Sequence, residues 1–325
     1  MYTAAVLLAL AFPDSAASIP SIVASAVRID SVHEQLVVSA GPFPNCATKG
    51  NETAPERPSS ARFAWKVNAY LRGFRVELHD RDKRPLSRDH LRYAGVANMA
   101  RREFLYPQLQ RLFAAGGETD AVTLPSFLGV PIGTGDSLLM YVCIRAEPGE
   151  TTDGATITLF LDYTPRRRFF RPLSILPWHI DVNFVPGQPA SYDLPPGHSS
   201  RTTEFTPPMS ILVLALGGHL RDYGTELRIV DCETGHTLVL LEADRRPDGT
   251  VKSVGRFIFG FHGSALRLEA GHRYRLIATY DNPTGHTIIG GAESAMAGPI
   301  VPVGDGTWPP LHLNDKDVIA DLASL

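Results

Sequence analysis

The chain has 325 residues, enough for two domains of ordinary size with a core each. At 44% hydrophobic and 20% charged residues its composition is globular, and a net charge of −3 excludes the basic footprint of a nucleic-acid binder. Three cysteines without CxxC spacing exclude a cysteine-based zinc site, and 28 Gly with 26 Pro favour short strands and turns over long helices.

In chain order, residues 4–12 are apolar and 15–18 (SAAS) are small, like the apolar and cleavage regions of a secretory signal. The run is too short to span a bilayer, and no Lys or Arg precedes Arg28. Residues 19–40 are expected as one strand and 41–60, polar and Pro-rich, as a linker, so that 1–60 forms an extended N-terminal arm. Asn51-Glu52-Thr53 matches an N-glycosylation acceptor.

From residue 64, strand-length segments follow at 65–68, 73–79, 136–144 and 156–163 (TITLFLDY). Residues 97–115 have a helical pattern interrupted by Pro107. Arg166, Arg167, Arg168 and Arg171 make a short basic cluster of the kind that sits in solvent. Cys143 and Cys232, in apolar strand-like contexts, are expected as buried free thiols. The second half carries candidate strands at 179–185, 209–216, 226–230, 237–241, 253–261 and 273–280, separated by turns at sandwich-like spacing. After the apolar run 209–216, His219 and Arg221 stand two residues apart, so on a strand both project to one face. The expected fold is all-β: two antiparallel β-sandwich domains, 61–175 and 176–302, with an extended C-terminal arm at 303–325.

An apolar strand, GGHLRDYG (217–224), a second strand, then YDNPTG (280–285), a Gly pair at 290–291 and Met296 follow one another. This order resembles the peptidylglycine α-hydroxylating monooxygenase superfamily of copper type II, ascorbate-dependent enzymes, over roughly residues 73–302. The resemblance implies two jelly-roll-like β domains, each carrying one copper. It places His219 at the first position of a His-x-His pair, with Arg221 at the second, and Met296 at the thioether ligand. In the first domain, Arg92 and Tyr93 stand where the family has adjacent histidines, and 141–145 lacks the third. Copper favours imidazole and soft thioether ligands, whereas a guanidinium removes a ligand and adds a permanent cation. His219 and Met296 are therefore vestigial copper positions, with no catalytic residue and no cofactor other than copper to expect.

The leading functional expectation is a non-catalytic accessory or scaffold subunit, exported to the periplasm or another extracytoplasmic space. Its partners would be protein subunits of a larger complex, and a membrane surface through them. By likeness of type, an extrinsic subunit of a bacterial reaction-centre–light-harvesting complex, in photosynthesis, is one example. The alternatives are a divergent copper-dependent monooxygenase or copper-binding protein, and an exported β-sandwich that binds a small ligand or glycan.

Overall fold

The structure, a computed structural model, describes residues 23–48, 58–117, 119, 121–146, 152, 154–167, 169, 171–259 and 265–325. The signal-like segment and the Asn51 acceptor lie outside the described residues.

Alternation of apolar and polar residues builds the first sandwich. In strand Ala155–Pro165, Ile157, Leu159 and Leu161 are buried while Thr156, Thr158, Phe160 and Asp162 are less so, because successive side chains leave opposite faces. This strand lies in a seven-stranded sheet, in the order Ser25–Asp30, Gln35–Phe43, Ala155–Pro165, Ala69–His79, Leu128–Ile132 and Leu173–Ser174, with Val122–Thr123 alongside Ala69–His79. The facing five-stranded sheet runs Asn45–Thr48, Ser137–Ala146, Leu91–Arg102 and Leu109–Ala115, with Ser59–Ala64 on Ser137–Ala146. The chain passes back and forth between the sheets in the manner of a jelly roll. The pairings are antiparallel except at the edges, where Asn45–Thr48 and Leu173–Ser174 pair in parallel.

The first domain therefore begins well before residue 61. The expected single strand at 19–40 is a hairpin, Ser25–Asp30 paired with Gln35–Phe43. Leu36, Val38, Ala40 and Phe43 supply the core, so this segment is part of the sandwich and not an arm. The helical pattern at 97–115 also resolves into two strands, Leu91–Arg102 and Leu109–Ala115. Pro107 cannot occupy a helix interior and lies in the connection between them. Cys143 is bonded to Cys46, with Cα atoms 5.3 Å apart, and only Cys232 is a free thiol, half-buried. The two cysteines stand on neighbouring strands but 97 residues apart in sequence, which hid their pairing.

The chain leaves the first core at Ile175 and enters the second at Leu176. The second sandwich packs a sheet containing Leu176–Asp181, Ile211–Val213, Ala215–Leu220, Arg256–Ile258, Leu266–Leu268 and Ser294–Pro302 against a five-stranded sheet. The latter runs Gly197–Phe205, Tyr274–Asn282, Gly224–Asp231, Thr237–Arg245 and Val251–Val254. Trp178, Ile180, Leu227, Ile229, Leu276 and Met296 fill the space between.

The expected extended C-terminal arm ends in a helix, Lys316–Ser324, the only α-helix among the described residues. Asp315 caps it by accepting from the Asp317 amide at 2.9 Å. Leu322 and Leu325 then meet Ala97, Leu109, Leu139 and Tyr141 on the outer face of the first sandwich. That cover explains why Ser137–Ala146 is buried on both faces and reads as a continuous apolar run. On the helix's other side the second domain approaches through Gly187. A Cβ at this glycine would come within 2.8 Å of the Ala320 Cβ, and its φ of +69° favours glycine as well. The helix thus touches both domains.

Asp321 projects from the helix into an ion pair with Arg111, and its side chain is 5% exposed. Asp321→Ala leaves the guanidinium buried without its counter-charge, a loss of about 3–5 kcal/mol. Urea denaturation is expected to show this as a lower midpoint, and a midpoint unchanged from the parent would contradict the pairing.

Candidate functional site

His219 and Met296 lie on neighbouring strands, with Gly218 opposite Met296 and His219 opposite Ala295. Side chains alternate along a strand. Met296 consequently enters the core, fully buried, while His219 emerges on the outer face with its side chain 53% exposed. The two occupy opposite faces of the sheet and do not form a ligand pair. Arg221 does share a face with His219, since both turn to Glu293. The guanidinium reaches Glu293 Oε2 through Nε at 2.9 Å and Nη2 at 2.7 Å, and His219 Nε2 is 4.0 Å from Oε1. Arg221 Nη1 also donates to the Gly290 carbonyl at 2.8 Å, tying the strand end to the Gly-Gly turn.

In the first domain Tyr93, one of the corresponding positions, is packed. Tyr93 and Tyr141 lie with ring centroids 6.3 Å apart, and Tyr141 carries the Arg111 guanidinium 5.3 Å above its ring. Leu322 and Leu325 of the helix close over them. Among the described residues no three His, Cys, Asp or Glu side chains gather to hold a metal ion.

A dense polar constellation forms where the two sandwiches meet. The connection from strand Leu91–Arg102 to Leu109–Ala115 leaves the first domain and sends Phe104 into the second core, edge-on to Trp178 at 6.1 Å. Glu103, fully buried, spends Oε1 on the Phe104 amide at 3.0 Å and Oε2 on the Arg111 amide at 3.1 Å. Glu103 Oε2 also lies 3.5 Å from His179 Nδ1, and His179 Nε2 meets the Gln108 side-chain amide at 3.0 Å. Asp181, two residues along the same strand face, has Oδ2 3.7 Å from His179 Nε2. The Tyr106 hydroxyl accepts from the Asp181 amide at 2.9 Å, and its ring stacks on Phe184 at 3.8 Å. Arg111 and Asp321 complete the group, the Asp321 carboxylate also accepting from the Leu109 amide at 3.0 Å.

Burial works against a charged His179 imidazole, but Glu103 and Asp181 outweigh it and raise its pKa. Burial raises the Asp181 carboxyl, against the opposing pull of His179. Burial likewise raises the Tyr106 and Tyr141 hydroxyls. Glu103 is sealed from solvent, while the His179 and Asp181 side chains keep 17% and 19% exposure, so the arrangement holds charge between the two domains. None of its residues stood out in the sequence as a site. Their one local signal is a single charge inside an apolar strand, Arg111 in LQRLFAA and Asp181 in LPWHID.

No family model and no curated protein matches the chain. Among solved structures it is similar to PNGF-II in a P21 crystal form, at 8% identity over 85% of this chain with a TM-score of 0.35. The chain spans 65% of the length of that protein. It is also similar to the naturally empty top component of cowpea mosaic virus, at 11% identity over 95% of this chain and 100% of that one, TM-score 0.35. The infectious bursal disease virus VP2 subviral particle follows at 11% identity, 92% and 76% coverage and a TM-score of 0.22. Likenesses this distant carry no argument about function.

The raised pKa of His179 ties stability to pH. A group bound more tightly to its proton in the folded state contributes fully below its unfolded value, about 6.5 for histidine, and loses that contribution as pH rises through the folded value. Asp181 has the same sign, but its loss begins at about pH 3.9. Unfolding free energy is expected to fall as pH rises above about 6.5, and His179→Gln should flatten that slope. An equal slope in both proteins would contradict the assignment.

Proposed function

We propose that the chain is a non-catalytic accessory subunit, exported from the cytoplasm, that stabilises a larger membrane-associated protein complex. A photosynthetic assembly is one such setting. The observation that carries this reading is the engagement of Arg221. It stands where the monooxygenase resemblance expects an imidazole, and it is committed to Glu293 and the Gly290 carbonyl. A permanent cation held there opposes a copper ion. The packed Tyr93–Tyr141 region under the C-terminal helix supports the same reading for the first domain.

Export is supported by the Cys46–Cys143 disulfide, a bond that persists in oxidising compartments. No helix among the described residues is long and apolar enough to cross a membrane. A partner surface is supported at the rim of the first sandwich. There Phe127 and Leu173 are 62% and 50% exposed, with the Leu173 amide on the Phe127 carbonyl at 2.7 Å. Adjacent exposed apolar side chains at a sheet edge are the sort of surface that association covers.

Native electrophoresis after gentle detergent extraction from the source cells tests the reading. The chain is expected to migrate within a large complex whose other subunits mass spectrometry identifies. Migration as a free 35.4 kDa monomer would contradict it. Stoichiometric Cu(I) binding lost in His219→Ala would favour the copper reading instead.

A further inference from the structure

A cleft in the second sandwich is not used by any of the contacts above. It opens beside Tyr223, between the hairpin turn that follows strand Thr237–Arg245 and the turn that follows Tyr274–Asn282. It is an open depression of about 530 Å³. Tyr223 forms part of the lining and holds a left-handed backbone, φ +67°, which is uncommon for a residue with a bulky side chain. Both walls fix it there: its amide donates to the Gly249 carbonyl at 2.8 Å, and its carbonyl accepts from the Asp281 amide at 2.9 Å. The phenol lies flat on Gly249, where a Cβ would come within 2.4 Å of two ring atoms.

Around that ring stand Arg245, Arg246, Pro247, Pro283 and Asp281. Neither guanidinium takes an ion pair or a side-chain hydrogen bond with a described residue. Asp248, in the same turn, is not within ion-pair distance of Arg246 and spends Oδ1 on the Thr250 amide at 2.9 Å. Asp281 meets the exposed His198 through Oδ1 at 3.1 Å, and its side chain remains 53% exposed.

Each element of this set favours a different part of one kind of ligand. Two exposed guanidiniums, of which Arg246 also feels the charge of Asp248 across the turn, suit a carboxylate, which arginine binds through paired N–H donors. The Tyr223 ring, in a lining that also holds Pro247 and Pro283, suits the apolar face of a ring. A half-exposed carboxylate accepts from hydroxyls and repels a ligand that is anionic throughout, such as phosphate. A neutral sugar would leave both arginines unused. We propose that this cleft binds an acidic oligosaccharide, with a uronate carboxylate on Arg245 and Arg246, its ring against Tyr223 and its hydroxyls on Asp281. The site is independent of the scaffold reading, and either stands if the other fails.

Calorimetric titration of the full chain with tetramers of galacturonate, mannuronate and guluronate tests it. Inorganic phosphate and the methyl ester of each tetramer serve as controls. Saturable one-to-one binding of at least one free uronate tetramer is expected, with its own methyl ester, prepared alongside, bound about tenfold more weakly or worse, the scale of one lost charged hydrogen bond. The double variant Arg245→Ala/Arg246→Ala should lose affinity by about tenfold or more. Tyr223→Gly keeps the left-handed backbone available and should weaken binding by removing the ring. Both arginines are exposed, and thermal melting of the double variant checks that its fold is intact. Binding of none of the tetramers, equal binding of phosphate, or unchanged affinity in the double variant would overturn the proposal.

Discussion

Glu103 is a carboxylate with no exposure to solvent, and much of the molecule's organisation follows from keeping it satisfied. A buried carboxylate needs hydrogen bonds and a counter-charge, or it costs several kcal/mol. Two backbone amides and His179 supply them, and the two sides come from different domains. The connection that presents Glu103 also inserts Phe104 into the second core, where its ring lies 5.1 Å from Trp308. Trp308 donates to the Arg102 carbonyl at 2.9 Å, which starts the C-terminal tail back across the first domain. The tail then delivers Asp321 to Arg111, one residue pair in the same polar group. Apolar insertion and ion pairing thus act on a single joint.

The joint also shapes the positions that the monooxygenase resemblance singles out. The face of the first sandwich where the monooxygenase resemblance would place copper ligands is roofed by the C-terminal helix and filled with tyrosine and arginine. In the second domain the surface at His219 is held by the Arg221–Glu293 pair. Each interaction consolidates structure at a position the resemblance associates with chemistry. Under the proposed reading, the two-domain unit with its oxidised cysteine pair would hold other proteins, and the Tyr223 cleft would add a small-molecule site to it.

Much of the fold was legible because strand alternation is local. TITLFLDY announces its strand in eight residues, and the apolar run with the turn after His219 announces two successive strands, Ala215–Leu220 and Gly224–Asp231, which lie in different sheets. The run 209–216 has the pattern of one strand but forms two, with Leu214 between them donating to the Pro299 carbonyl. Apolar residues at 97–115 fit a helical period as well as two strands, and they feed three separate clusters, which no single period describes. The C-terminal helix had its signals, an Asp315 cap and apolar residues at 318, 322 and 325, but they followed a proline-rich stretch that suggested extension. The joint itself was hidden. Arg111 and Asp321 are separated by 210 positions, and a lone charge in an apolar strand does not say which partner awaits it.

The central claim is that this joint makes two sandwiches behave as one. Differential scanning calorimetry of the full chain tests it most directly. A single transition with equal calorimetric and van't Hoff enthalpies is the result the account predicts. Two resolved transitions, one per sandwich, would contradict it.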